Sequence, residues 1–584
     1  MTKKEKLQFA LAWLSLGLLP LALRPLWQPD EGRYAEIPRE MLASAEWLTP
    51  HLNGVLYFEK PPFQYWLSAI SMKLFGESAF VARLPLALAA FLTMYSVWKL
   101  SRRLGSPWPV WASFATASSL LLYCCGQILT LDALFSSLCV FSLTALVEAV
   151  SHKYYESPPR LVAGWTLAAF ASASCAVLTK GPAAVVLVGG ALFFSIFVAW
   201  RDARLRSAIL KTLFSPYGLL LFFAIAVPWF VLVNWANPGH AHFFFYTEHF
   251  ERFTTHNHAR QGSDNPILDK LYFVPVILLG LLPWLSACFV GAKRALKFLR
   301  NRTGPNTLDA PLKRWTVALL IVAFAWPLLF FSASGSKLIP YVLPCVAPII
   351  ILAFAFERDL DGFVPLRRTG MEMLSLGIVF LVTALIVLLL PGISASPARW
   401  VADLHSSSGG PWILFLGLGY AVMGLWGIRG QGLTASSWMA WHSALLIVLT
   451  IAAQQVNGAN STIDYLVAKA PKDQKIQWIS HGTYFQALPF LVKDRITVVG
   501  GTGELAYGKN RLMNEEQAKW FNEDPQALTS VAQQLKDENP EMPVWALSDK
   551  KAWRNMGPEL TAAWEVVDNS SPKAILLRFM PSRD

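Results

Sequence analysis

Charge is what this sequence lacks most. Only 15% of its 584 residues are Asp, Glu, Lys or Arg, and 54% are hydrophobic, whereas soluble domains carry about 25% charged residues. An ordinary water-soluble enzyme is thereby excluded. Cysteine is scarce too. Cys124, Cys125, Cys139, Cys175, Cys288 and Cys345 all lie inside apolar stretches, where they act as small hydrophobes with neither metal-ligand spacing nor a disulfide framework. The chain has no glycine-rich phosphate loop, no internal repeat and no low-complexity segment, so it offers no nucleotide site. The formal net charge of +12 is spread over short loops between apolar runs, which argues against nucleic acid as a partner.

Apolar length is what the chain has instead. A bilayer span takes about 20 mostly apolar residues. The pattern predicts roughly thirteen spans, near 7–26, 79–99, 107–124, 128–150, 161–178, 182–200, 217–236, 268–292, 315–333, 338–356, 372–391, 411–428 and 435–454. The first run follows Lys3, Lys4 and Lys6 as a signal peptide would. It lacks a small-x-small cleavage site and so reads as a retained helix. Tryptophan is abundant, as at membrane–water interfaces.

Loops holding Lys99, Arg102 and Arg103, then Lys153 and Arg160, then Arg201 to Lys211, Lys293 to Arg314, and Arg358 to Arg368 alternate with loops poor in Lys and Arg. About two dozen basic residues fall on one side against roughly ten on the other, so the positive-inside rule puts the N-terminus in the cytoplasm. An odd number of spans places the C-terminus outside.

From about Gln455 the character changes. "KIQWIS", "RITVVGG", "PVWALSD" and "KAILLRF" read as short strands, with polar helical stretches near 513–538 between them. The expected organisation is a transmembrane domain over 1–454, with outer loops at 27–78 and 237–267, followed by a soluble α/β domain over 455–584.

The first outer loop opens with "PDEGRYAEIPREML", placing Asp30, Glu31, Arg33, Glu36, Arg39 and Glu40 just after the first span. Tyr34, Ile37, Met41, Leu42 and Ala45 form one apolar stripe at helical spacing. Phe63, Trp66, Leu67, Ile70 and Leu74 form a second, after Pro61 and Pro62 and ending at Gly76. Both suit helices lying in the interface plane; the alternative is a solvated connector.

Other ionisable residues gather on the same side. "YFEKPP" supplies Glu59 and Lys60, "LTLDALF" Asp132, "LTKGPA" Lys180 and "SGSKLIPYVLP" Lys337 and Tyr341. "FFFYTEHFERF" carries Glu248, His249, Glu251 and Arg252 among six aromatics. Charges at membrane depth are costly and usually face a cavity or each other, so five such places at one boundary predict a shared polar cavity. Lys60, Lys180, Arg252 and Lys337 suit clamping a lipid phosphate by charge-assisted hydrogen bonds. A carboxylate such as Asp30 could take a proton or orient an acceptor; equally, an Asp30–Lys60 salt bridge could simply fix the loop.

The order of these motifs, with "WLTPHLNGVLYFEKPPFQYWL", "RLPLAL", "EHFERF" and "SKLIPYVLP" among them, resembles the membrane-embedded GT-C glycosyltransferases that use lipid-linked sugars. The nearest resemblance is to the bacterial 4-amino-4-deoxy-L-arabinose transferases, relatives of the protein O-mannosyltransferases, and it covers nearly the whole chain.

The resemblance implies a mainly α, polytopic GT-C fold in the bacterial inner membrane, acting as a monomer. It implies an undecaprenyl phosphate-linked sugar donor, a lipid A phosphate as acceptor at the periplasmic face, and inverting transfer. It makes Asp30 the catalytic acid/base candidate, Lys60 the ligand of donor phosphate and Asp132 the completing carboxylate. Arg33, Lys180, Arg252, Lys337 and Tyr341 would line the donor cavity, with Glu31, Tyr57, Glu59 and His249 as further substrate-binding positions. No cofactor is required. A divalent metal such as zinc, held by Glu59 and His249, is the one the pattern leaves open, with His240 and His242 as rival ligands. The 255–266 segment is either a loop over the site or a spacer.

Transfer of another polyprenyl-linked sugar to protein or lipopolysaccharide core is the rival reading. A transporter or flippase would place charges at the membrane midplane, often with inverted repeats, and these spans are nearly uncharged within.

Overall fold

A computed structural model describes residues 1–200, 202–251, 265–301, 309–356, 364–389, 409–429 and 435–580. The chain divides into two compact units. One comprises Met1–Leu23, Glu59–Gln64 and Arg83–Ala452, the other Arg24–Phe58, Tyr65–Ala82 and Ala453–Asp584. This corrects the expected organisation. Most of the first loop, Arg24–Phe58 and Tyr65–Ala82, groups with the residues from Ala453 onward rather than with the spans.

The first unit is a helix bundle. Among the described residues eight helices are long and apolar enough to cross a membrane, or nine if the bent pair Phe273–Gly280 and Leu285–Arg300 is one span. The other expected spans are helical but short or broken. The first, for instance, runs Lys3–Trp13 and then through a π-helical and a 3-10 turn to Ala22.

Leu131–Tyr154 is the central helix, with 89% of its most apolar 18-residue stretch buried, whereas only 17% of that in Ala203–Ala236 is buried, so the latter forms the rim. Their compositions explain the difference. The central helix is studded with Ser and Thr, whose hydroxyls donate to its own carbonyls (Thr144 to Val140, Ser151 to Val147) or to the next helix (Ser142 to Ala169, 3.0 Å). Small side chains that satisfy themselves this way let helices pack closely without a hydrophobic driving force.

The bent pair turns through 106°, which starts a helix inside the bundle with orphan N–H groups. Glu372 covers them: its carboxylate accepts from the Leu285 and Ser286 amides at 2.9 and 2.6 Å.

The second unit holds a six-stranded sheet ordered Phe521–Asn522, Thr497–Val499, Gln477–His481, Val544–Asp549, Ala574–Phe579 and Trp564–Asp568. The first four are parallel, and Ala574–Phe579 is antiparallel to both of its neighbours, Val544–Asp549 and Trp564–Asp568. All four predicted strands are present. The two missed ones are the edges, where Phe521–Asn522 is too short and Trp564–Asp568 too polar to read as a buried run.

The first-loop segment adds the helices Asp30–Ser44 and Phe63–Phe75 and a hairpin, His51–Leu52 with Val55–Leu56. Asn53-Gly54 turns it with both φ positive, as a two-residue hairpin turn requires. The Asn53 amide both donates to and accepts from the Ile496 backbone at 2.9 Å. Gly32 lies so close to Ala487 that a Cβ there would fall 2.3 Å from its backbone nitrogen. Only glycine permits that approach.

Of the two helices expected in the interface plane, Phe63–Phe75 fits. Its predicted stripe is the open side, with Ile70, Leu74 and Phe75 exposed, while Tyr65, Ser68, Ala69 and Met72 are buried. Asp30–Ser44 does not fit: it is enclosed nearly all round, its charged face included.

Candidate functional site

In the helix bundle, Lys60, Lys180, Glu248, His249 and Tyr341 line one cavity of about 360 Å3, with Phe245, Phe250, Phe330 and Phe331 as its apolar wall. Local structure explains how each cation arrives there. Lys180 is the last residue of Pro159–Lys180, where the negative end of the helix dipole favours a cation. Gly181 then stops the helix at φ +71; a Cβ there would meet Phe244 at 2.8 Å and His249 at 2.9 Å. Asp132 sits in the first turn of Leu131–Tyr154, the end that favours a carboxylate, and pairs directly with Lys180. The Lys180 ammonium also stands 4.2 Å over the Tyr341 ring, a cation–π contact.

Lys60 donates to the Glu59 carbonyl at 2.8 Å and to the Glu248 carboxylate at 3.1 Å. Lys337, fully buried, donates to Asp269 and to the Ser334 carbonyl, both at 2.6 Å. Glu248 and Asp269 are the partners to which sequence reading gave no role. Glu248 was visible as one charge of "EHFERF", and Asp269 only as an acid near the start of a span.

His249 contacts the Phe244 carbonyl through Nδ1 at 2.7 Å and the Lys180 carbonyl through Nε2 at 3.4 Å. Burial lowers its basicity and the Lys60 charge lowers it further, against the raising effect of the two carbonyls, so the neutral ring is favoured. Arg252 and the 255–264 part of the loop lie outside the described residues.

Glu59 belongs to the first unit; the remaining predicted residues belong to the second, and most are committed to its folding. Glu31 is fully enclosed, accepting from Arg24 (Nη2 at 3.0 Å) and from the Trp27 amide at 2.9 Å. Arg33 is buried between Asp30, 2.5 Å away, and Glu504. Glu36 and Arg39 form a two-pronged pair at 2.6 and 2.7 Å. Burial pushes the Glu36 carboxyl well up; Arg39 opposes that and Glu40 adds to it. Tyr57 is buried. Asp30 differs from its neighbours, with a side chain 46% exposed beyond its contact with Arg33. Asp30 pairs with Arg33 in the second unit, and Lys60 with Glu248 in the first.

A metal at Glu59 and His249 fits poorly. One His249 nitrogen is engaged by a carbonyl, and the other faces Lys180 and the tight Gly181 turn. No group of three His, Cys, Asp or Glu side chains suited to a metal exists among the described residues, while catalytic zinc sites use three protein ligands. Of the rivals, His240 is buried against Trp229 and Phe244, and His242 lies beside Tyr246 with the rings tilted.

Residues 59–231, the stretch bearing Lys60, Asp132 and Lys180, match the family described as dolichyl-phosphate-mannose-protein mannosyltransferase. The undecaprenyl phosphate-alpha-4-amino-4-deoxy-L-arabinose arabinosyl transferase of Edwardsiella ictaluri is 31% identical over 517 residues, covering 85% of this chain and 87% of that protein. The chain belongs to this arabinosyl transferase family. The Shewanella sediminis member is 30% identical over 525 residues, 86% of this chain and 88% of its own. The arabinosyl transferase fold is shared by ArnT of Cupriavidus metallidurans, solved bound to undecaprenyl phosphate, with a TM-score of 0.74 at 24% identity, covering 99% of this chain and 98% of that one.

Proposed function

We propose that this chain moves 4-amino-4-deoxy-L-arabinose from undecaprenyl phosphate to a lipid A phosphate, at the periplasmic face of the bacterial inner membrane. The observation that carries the reading is the cavity itself: two lysines, Lys60 and Lys180, set in an aromatic wall. That pairing suits a phosphate joined to an isoprenoid chain.

Chemically, the bond from the anomeric carbon to the donor phosphate oxygen breaks as an acceptor phosphate oxygen attacks from the opposite face, in one inverting displacement. Negative charge grows on the departing undecaprenyl phosphate. Lys60 exchanges Glu248 for that phosphate, and Lys180, held by Asp132 and Tyr341, adds a second cation; preorganised donors at developing charge usually contribute most to such a step. A lipid A phosphate is already largely ionised, so the acceptor needs little proton removal. Asp30, with its open side, orients the acceptor or the sugar's ammonium group. Lys337 and Asp269 brace the segment that carries Tyr341. The positive-inside bias supports a cytoplasmic N-terminus and a periplasmic C-terminal domain.

The test is mass spectrometry of lipid A from a transferase-deficient bacterium that makes the donor, expressing the wild-type chain or Asp30→Asn. An aminoarabinose-sized mass gain with the wild type alone is expected. Gain with Asp30→Asn as well removes that aspartate from the mechanism. No gain with folded wild-type protein redirects the search to protein or lipopolysaccharide-core acceptors, which the mannosyltransferase match over 59–231 favours next.

A further inference from the structure

A second charged cavity lies at the far end of the same bundle, away from the Lys60 cavity. Glu148 is 16 residues beyond Asp132 on the central helix, about 24 Å along its axis. The cavity there has a volume of about 520 Å3 and is lined by Lys99, Arg102, Arg103 and Lys313 together with Glu148 and Asp309. Four cations thus face two carboxylates. Both carboxylates are occupied. Glu148, fully buried, accepts from Arg103 at 3.0 and 2.6 Å and lies 3.3 Å from Lys99; Asp309 accepts from the Tyr155 hydroxyl at 2.6 Å. Arg102 and Lys313 have no carboxylate partner among the described residues and remain exposed.

Depth decides what such a cavity meets. Three candidate spans end there together: Ala79–Arg103, Leu131–Tyr154 and Ala310–Ala333. Their shared end lies at headgroup level, on the side that the basic loops assign to the cytoplasm. Basic pockets between spans on that side attract anionic headgroups, each nearby Lys or Arg adding to the attraction.

We infer that the cleft between Lys99, Arg102, Arg103 and Lys313 binds a phosphate-bearing ligand, the phosphodiester headgroup of an anionic inner-leaflet lipid. Arg102 and Lys313 supply the unmatched charge, and Arg103, fixed by Glu148, presents a preorganised guanidinium. The inference is independent of the transferase reading, because it concerns the opposite membrane face.

The test compares the full-length protein with its Arg102→Gln/Lys313→Gln variant. Native mass spectrometry measures retention of phosphatidylglycerol and phosphatidylcholine, and melting is followed with each lipid or with inorganic phosphate. Wild type is expected to hold phosphatidylglycerol selectively, with affinity falling roughly 30-fold in the variant. Both residues are exposed and away from the Lys60 cavity, so melting without lipid and transfer should be unchanged; should the double variant fold poorly, Arg102→Gln alone is read the same way. Equal phosphatidylglycerol retention by both proteins overturns the site. Stabilisation of wild type alone by inorganic phosphate, with no response to phosphatidylglycerol, overturns the lipid source and assigns the cleft to a soluble phosphate compound.

Discussion

The two ends of the helix bundle handle charge differently. At the cavity end, among the described residues, three lysines each pair with one carboxylate: Lys60 with Glu248, Lys180 with Asp132, Lys337 with Asp269. At the other end one buried carboxylate, Glu148, gathers several cations, and two more stay unmatched. The difference follows from surroundings. Beside an aromatic wall an unpaired ammonium is costly, so each of these lysines rests on a carboxylate. At an open headgroup boundary, surplus cations stay hydrated and serve as standing attraction for anions.

Breaking the matched end at Lys60 has the largest expected effect. Lys60→Ala should lower transfer by about 10²–10³-fold or more, the scale of losing one donor to developing negative charge, while insertion and melting stay normal; lipid A mass spectra read against melting curves check this. Near-normal transfer would remove Lys60 from leaving-group stabilisation.

Stability separates the two ends next. Asp269→Asn strands a fully buried Lys337 and should cost about 3–5 kcal/mol. Glu148→Gln should cost less, about 1–3 kcal/mol, because Lys99 and Arg103 have side chains 26% and 23% exposed and can turn toward water. Melting temperatures of the purified variants rank the two; the reverse order would contradict the contrast.

A matched pair in the sheet unit extends the comparison to pH. Burial pushes the Asp568 carboxyl up, yet hydrogen bonds from Lys469 and Ser570 outweigh it and hold the group at about 2, against an ordinary 3.8. Since the folded value is the lower one, this stabilisation is present above 3.8 and is lost as pH falls toward 2. Hydrogen exchange in Ala574–Phe579 should accelerate across that window in the wild type, and Asp568→Asn should flatten the dependence. The smallest effect is expected at the exposed pair Arg204–Glu156, 3.1 Å apart: Arg204→Ala should shift stability by no more than about 0.5 kcal/mol, within the scatter of the same melting assay.

Much of this was legible in the residues. The apolar runs marked the helices, and alternation and β-branched content marked the four inner strands. Lys180 and Lys337 read as charges at membrane depth, which are costly unless a cavity or a counter-charge receives them; Lys180 has both, and Lys337 has a counter-charge. The stripe Phe63–Leu74 was legible too, since an apolar face needs a matching environment. The surroundings of the charges in "PDEGRYAEIPREM" were not legible. The stretch read as an amphipathic helix in the interface plane or a solvated connector, yet Glu36 and Arg39 satisfy each other inside the fold, and pairing of that kind does not alter a hydropathy pattern.

The sequence by itself determined that the chain crosses a membrane repeatedly, ends in an α/β domain and collects cations and carboxylates at one boundary. Those properties follow from local composition and period, which act over one helix or strand at a time. Only the tertiary structure decided that the first outer loop belongs to the C-terminal unit, through Gly32 against Ala487 and Asn53 against Ile496. Only it decided which carboxylate answers each lysine, with Glu248 lying 188 positions from Lys60. Such choices depend on which distant backbones come within a few ångströms, and short-range pattern carries no record of that distance.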